Sequence, residues 1–158
     1  FLEPSCAAVM RDELRQLFPH DLNAQRLSRQ TFLLSEFLEQ KAPGFQPQAP
    51  GQKVLVQAHC HHRAVMTVSS EEALLRRLGV EYEILDSGCC GMAGSFGFER
   101  RHYGVSMKCA ERVLLPTVRK ASPETLIVAD GFSCREQIRQ GTGRAALHLA
   151  QLLEMAKG

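Results

Sequence analysis

Long apolar runs are missing from this sequence. The longest, such as residues 126–129, fall far short of the roughly 20 residues that span a bilayer, so no transmembrane segment is expected. The N-terminus also lacks the charged start and apolar core of a secretory signal. Clustered basic charge is missing too. With a net charge of +2 and no run of lysine or arginine, the chain has no electrostatic footprint for DNA or RNA. No Ser/His/Asp arrangement and no paired carboxylates stand out, which removes support for hydrolytic chemistry. The Gly141-Thr142-Gly143 run is too short and wrongly placed to cradle a nucleotide and reads as a helix break. An initiator methionine is absent, since the chain opens at Phe1, as a piece of a longer polypeptide would. The expectation that remains is a soluble, cytoplasmic protein.

Cysteine, by contrast, is plentiful, with six in 158 residues. Structural disulfides are rare in the cytosol, and Cys89 and Cys90 are adjacent, a spacing across which a disulfide closes only with severe strain. Metal binding or thiol chemistry is the better use for them.

The pattern of the rest says where those thiols sit. Residues 7–41 are helical in pattern, with Leu27, Leu34, Phe37 and Leu38 as one stripe and Pro19 and His20 as the dividing point. Residues 42–52 hold three prolines and two glycines and read as a linker. Then "KVLVQAH" reads as a strand, followed by a helical stretch to Leu78 that restarts at Ser69, where Ser69 and Glu72 have capping-box spacing, and ends at Gly79. "VEYEILD" is a second strand, residues 98–120 a long helix with Tyr103, Met107, Ala110 and Leu114 on one face, and "TLIVAD" a third strand. Residues 144–157 are amphipathic through Ala145, Leu149, Leu152, Leu153 and Ala156. Strands alternating with helices predict an α/β fold: a small parallel sheet of about three to four strands flanked by helices, preceded by a helical N-terminal segment.

Cys60 follows the first strand, Cys89 and Cys90 the second, and Cys134 the third. Parallel strands put their carboxyl ends on one edge of a sheet, where open α/β folds bind ligands, so the four thiols are expected to converge there. An all-thiolate set suits soft metals, with an iron–sulfur cluster and zinc as candidates. Adjacent thiolates serve two irons of one cluster readily and crowd a single zinc. Gly88, Gly91 and Gly94 let the backbone turn tightly and approach closely. A helix opening near Gly91 would aim free amides at cluster sulfurs and raise the reduction potential. His59, His61 and His62 flank Cys60, either as imidazole ligands or as hydrogen-bonding groups around the turn. His148 reads as a packed or surface histidine. Cys109 sits in a helical pattern and reads as a packing residue, while Cys6 either joins a site or stands idle.

The same residues carry a resemblance. "CCGMAGSFGFE", with "HCHHRA" before it and "DGFSCREQI" after it, resembles the cysteine-rich CCG domain. That domain is found in the cysteine-rich subunit of heterodisulfide reductase, in the iron–sulfur subunits of glycolate oxidase and anaerobic glycerol-3-phosphate dehydrogenase, and at the C-terminus of fused FAD-linked oxidoreductases. "LEPSC" followed by "RDEL" is most similar to the last group, the D-lactate and D-2-hydroxyglutarate dehydrogenase-like proteins. Such proteins typically carry two CCG units in tandem. Here "EPSCAAVMRDEL" and "GFSCREQI" both set Ser-Cys ahead of an Arg-acidic-polar stretch. The resemblance therefore implies that residues 1–41 are the helical tail of a preceding unit closed by Cys6, residues 42–52 a linker, and residues 53–158 one complete unit. The chain departs from the family where the motif can end in Cys-x-x-Cys, because Gly131 takes the first of those places and Glu3 does so in the earlier copy. The complete unit keeps four thiols, the number for a 4Fe-4S cluster rather than a five-cysteine noncubane one.

What the resemblance implies is an iron–sulfur electron-transfer domain of an FAD-linked 2-hydroxy-acid oxidoreductase. An FAD-containing dehydrogenase domain or subunit outside this chain oxidises the substrate. Cys60, Cys89, Cys90 and Cys134 hold the cluster in the Gly91 loop, with Cys6, His59 and His61 as further candidates, and electrons pass to a quinone or electron carrier. The full complex would sit in the cytoplasm or against the inner face of the membrane, and this chain alone would turn over no 2-hydroxy acid. The alternatives are a zinc-binding structural or docking domain and a thiol–disulfide redox catalyst, in which Cys89 or Cys90 is the activated thiol.

Overall fold

A computed structural model describes residues 1–48 and 51–155. Three apolar tripeptides form the strands β1 (Val54–Val56), β2 (Tyr82–Ile84) and β3 (Leu126–Val128). They pair in parallel in the order β2-β1-β3, with Val54 opposite both Tyr82 and Leu126. The two-residue period then separates the side chains. Val54, Val56, Tyr82, Ile84, Leu126 and Val128 pack with Leu74, Leu75 and Leu78 of α6 (Ser69–Leu78) and with Leu149, Leu152 and Leu153 of α10 (Leu149–Met155). Leu55 and Ile127 pack instead with Leu114, Leu115 and Val118 of α8 (Leu114–Lys120) and with Ile138 of α9 (Phe132–Thr142). The central strand is buried along its whole length, as parallel sheets covered by helices on both faces require. Truncating a fully buried leucine such as Leu114 to alanine would cost about 2–5 kcal/mol.

Beyond β3 a single residue extends the sheet. Leu147 bridges Val128 in parallel, donating to Ile127 O at 2.8 Å and accepting from Ala129 N at 2.8 Å. Arg144 just before it donates to the carbonyls of Val118, Ala121, Pro123 and Thr125. This fan of bonds holds residues 144–146 out of helical conformation, so the amphipathic tail becomes helical only at Leu149. Ala156 and Lys157, assigned to that tail by the sequence pattern, lie outside the described residues.

The N-terminal segment is helical as expected. α1 (Pro4–Ala8) runs through a π-helical turn at Val9–Glu13 into α2 (Leu14–Leu17), and the chain turns at Pro19 and His20 into α3 (Leu22–Arg29) and α4 (Leu34–Lys41). Glu36 accepts from Leu33 N at 2.8 Å and from Arg11 at 2.7 Å, which breaks the helix before α4 and ties α4 to the first helical stretch. The apolar stripe is accordingly split. Leu34 and Leu38 pack against the core, whereas Leu27 and Phe37 are exposed. α4 packs on α6, and α1 on α5 (Cys60–Val65). Residues 42–48 form neither helix nor strand, and Phe45 packs against the core. Ala49 and Pro50, in the middle of the proline-rich stretch, lie outside the described residues.

Four local expectations are corrected. The long helix over residues 98–120 is two helices, α7 (Tyr103–Ala110) and α8, because Pro116 has no N–H for the carbonyl four residues back and fits only the first turn of a new helix. Tyr103, placed on the buried face by the pattern, is exposed. The restart at Ser69 forms without a capping box: Val68 is the N-cap, and the Ser69 hydroxyl pairs with that of Thr67 at 2.7 Å. No helix opens near Gly91 either. Gly91, Ala93 and Gly94 all have positive φ, so the chain coils through turns until a short 3-10 turn at Phe96–Phe98. Among the described residues no helix is long and apolar enough to cross a membrane.

Candidate metal centre

Each strand delivers its cysteine through a different device. β1 runs into Gln57, Ala58 and His59, and His59 is the N-cap of α5, accepting at Nδ1 from His61 N at 3.2 Å, with Cys60 as first helical residue. The loop after β2 is braced to β1 by buried Gln57. Its Oε1 accepts from the Ser87 hydroxyl, and its Nε2 donates to Gly88 O at 3.3 Å. Cys89 and Cys90 follow directly. At Gly91 the backbone has φ +89°, and a Cβ there would lie 2.1 Å from Ser106 O, so only glycine lets the loop seat against α7. Ala93 holds φ +43° without that freedom, a strained conformation of the kind that gathers at functional loops. After β3, Gly131 is the N-cap of α9, which puts Cys134 in its first turn.

The four thiols form a connected chain. The neighbouring Cys89 thiol and burial push Cys60 up; the neighbouring Cys134 and Cys89 thiols, with burial, push Cys90 up likewise. Cys89 accepts from Gly91 N, which lies 3.3 Å from its sulfur, and is held well below the usual thiol range by the neighbouring Cys60 thiol first, then by Cys90 and that amide. It is the preferred site of negative charge in the group. Cys90 and Cys134 are buried and the other two half-buried. A cavity of about 360 Å³ opens beside them, lined by Cys60, Cys89, Cys90, His59, Ser5 and Ser133 among others.

The remaining candidates divide. His59 is on the cavity wall, and burial lowers its pKa and keeps its imidazole neutral. His61 also lines the cavity but is exposed, edge-on to His59 with ring centroids 5.2 Å apart. His62 faces away: its Nε2 lies 3.1 Å from Thr67 O and its Nδ1 3.4 Å from Glu71 Oε2. Cys6 is exposed on α1 and does not line the cavity, although its neighbour Ser5 does. Cys109 lies beside Gly91 in α7, away from the cavity wall. His148 is held between Leu2 O and Ala150 N, as a packed histidine. Arg63 and Arg135 are bound to strand-end carbonyls, Arg63 to Leu85 O at 2.6 Å and Arg135 to Ala129 O at 2.9 Å, so they brace the loops around the site.

The sequence reading missed Gln57 and Ser87, for which the only signal is a glutamine inside an apolar run. It also missed Glu3, whose Oε2 accepts from Phe132 N at 2.7 Å and docks the start of α1 over the start of α9.

As donors, the residues present are a soft, all-sulfur set extended along a chain and bordering open volume. Among the described residues no three or more His, Cys, Asp and Glu side chains are grouped to hold a metal ion as they stand.

No family model matches the chain, and no solved structure matches it significantly. Curated proteins do. The chain is 30% identical over 158 residues to the D-2-hydroxyglutarate dehydrogenase of Pantoea ananatis, a match covering 98% of this chain and 15% of that protein. It is 30% identical over 149 residues to the protein of the same name from Pseudomonas putida, covering 93% of this chain and 14% of that one. One subunit of the anaerobic glycerol-3-phosphate dehydrogenase of Escherichia coli K12 is 33% identical over 107 residues, 66% of this chain and 26% of its own length. The chain thus spans about 15% of the length of the dehydrogenases it matches and about a quarter of that glycerol-3-phosphate dehydrogenase component.

Proposed function

We propose that this chain is the iron–sulfur electron-transfer segment of an FAD-linked 2-hydroxy-acid oxidoreductase. The observation that supports the reading is three thiols from two strand ends, Cys60, Cys89 and Cys90, on the wall of one cavity with Cys134 buried in the same core cluster as Cys90, in a chain similar along nearly its whole length to D-2-hydroxyglutarate dehydrogenases. Cys60, Cys89, Cys90 and Cys134 hold a 4Fe-4S cluster, which supplies a one-electron acceptor and donor. The protein supplies the rest. The Gln57–Ser87 brace fixes the Cys89-Cys90 turn relative to Cys60, the Gly91 amide stabilises negative sulfur at Cys89, and the apolar core behind Cys90 and Cys134 keeps water from that side. Residues 1–41 belong to a preceding unit in the parent protein, with residues 42–52 as the connection, and Cys6 serves that unit. Substrate oxidation lies in an FAD-containing domain or subunit outside this chain, and a quinone or electron carrier takes the electrons, on the cytoplasmic side.

The test is anaerobic purification and cluster reconstitution, with iron, sulfide and zinc measured per chain beside the visible spectrum. A brown protein with roughly four irons and matching sulfide is expected. A colourless protein holding one zinc and refusing iron would replace this reading with a zinc-stabilised docking domain.

A second reading is thiol–disulfide exchange, supported by the half-buried Cys89 on the cavity wall, whose sulfur accepts from Gly91 N at 3.3 Å and whose thiol is held low by the neighbouring Cys60 first. That reading requires selective alkylation of Cys89 at neutral pH together with turnover of a disulfide by protein free of iron.

A further inference from the structure

Gly131 is the N-cap of α9, at the place where the motif this chain resembles can carry an additional thiol, and the space that a side chain would need there is taken. A Cβ on Gly131 would lie 2.2 Å from Cδ2 and 3.2 Å from Nε2 of His59. The imidazole is therefore seated against the start of α9, two residues before Ser133, on the wall of the cavity that Cys60, Cys89 and Cys90 line. It is only 6% exposed.

The hydrogen on this ring is assigned by geometry. The main-chain N–H of His61 can only donate, and it donates to Nδ1 at 3.2 Å, so Nδ1 is the acceptor nitrogen. A neutral ring then carries its hydrogen at Nε2. A nitrogen that carries hydrogen has no lone pair for a metal, and Nε2 has no hydrogen-bond partner among the described residues. The acceptors beside the ring are the Glu3 carboxylate, whose two oxygens already accept from Ser5 and from Phe132 N, and the sulfur of Cys89.

We infer that His59 is a hydrogen-bond donor to the sulfurs of the thiol centre, through Nε2–H, and not one of its ligands. The inference rests on the cluster reading above. Its consequence is electronic, because hydrogen bonds to cluster sulfur stabilise the reduced, more negative state and raise the reduction potential. His59 acts as a positioning and tuning residue in place of the missing fifth thiol.

Two substitutions separate the two ring nitrogens. His59→Asn keeps an acceptor near Nδ1, and so the cap of α5, but removes the distal donor. His59→Gln puts an amide N–H near the place of Nε2 and sacrifices the cap. In reconstituted protein, His59→Asn is expected to bind the same iron and sulfide as the parent chain and to have a lower reduction potential, measured by an EPR-monitored titration. His59→Gln is expected to return the potential toward the parent value. Gly131→Ala, whose methyl group displaces the ring, is expected to shift it in the same direction as His59→Asn. An unchanged potential in His59→Asn would overturn the inference, as would loss of iron from that variant, which would make His59 a ligand. If the parent chain itself takes up no cluster, the reading of the site falls and this inference with it. A loaded parent with an indifferent His59→Asn removes the inference alone.

Discussion

Two helices of this chain, α1 and α9, begin with the same pair of residues in the same register. Ser5 and Ser133 are each the second helical residue and Cys6 and Cys134 each the third. Both serines line the cavity, yet Cys134 is buried in the thiol chain and Cys6 faces solvent. The local motif therefore does not decide where the sulfur goes. What decides is the element in front of it. α9 follows β3 out of the sheet, and its first turn lands on the carboxyl edge, against Cys90, with Ile138 anchoring the helix in the main core. α1 has only Ala7 and Ala8 in a small cluster with Leu33 and Met66, and it reaches the site through Glu3 and Ser5.

The largest contrast is expected in metal content. Cys134→Ser, Cys89→Ser or Cys90→Ser should abolish or severely reduce the iron and sulfide bound after reconstitution, while Cys6→Ser should leave both at the parent level. Equal losses from Cys6→Ser and Cys134→Ser would erase the distinction between the two helix starts and make the cavity a site shared by both.

A smaller effect concerns the seam between α5 and α6. Glu71 of α6 is almost wholly buried, and it faces His62 Nδ1; among the described residues neither its Oε2 nor that nitrogen has a hydrogen-bond partner. Burial, with the charge of Asp130 nearby, pushes the Glu71 carboxyl up to about 8 from its ordinary 4.5. Between those values the folded state holds a proton that the unfolded chain has lost. The associated stability is fully present below about pH 4.5 and falls progressively as the pH rises to about 8. Glu71→Gln should remove that slope and leave the variant the more stable one at pH 8, by a few kcal/mol at most, since one pKa unit corresponds to about 1.4 kcal/mol. Urea denaturation at pH 5 and pH 8 for both proteins measures it. A parallel pH dependence in the two would show that Glu71 is not what titrates.

How much of this was legible in the sequence depends on how far apart the cooperating residues are. The strands were, because each is a short apolar run closed by polar or glycine residues. Their parallel pairing followed from the helices between them, and the edge position of Cys60, Cys89, Cys90 and Cys134 followed from the pairing. The break between α7 and α8 was signalled by Pro116 but masked by an apolar pattern continuing on both sides. The Gln57–Ser87 brace and the reach of Glu3 to Phe132 were not legible. Each joins residues far apart in the chain and depends on the register of strands and loops, which no local pattern encodes.

The smallest effect tests the joint between the two helix starts. Glu3 caps both of them. Oε1 accepts from the Ser5 hydroxyl at 2.8 Å and Ser5 N at 3.4 Å, and Oε2 accepts from Phe132 N at 2.7 Å. A glutamine has one acceptor oxygen and so can serve one helix but not both. Glu3→Gln should then destabilise the chain by about 1 kcal/mol, the usual worth of a cap. The loss should be uneven, because α9 stays anchored in the main core and α1 does not. Hydrogen exchange is expected to quicken in the amides of α1 while those in the body of α9 keep their protection. If the two helices instead lose protection together, the start of α1 is an integral part of the fold around the thiols, and the contrast between the two Ser-Cys pairs lies in the direction of the cysteine side chain alone.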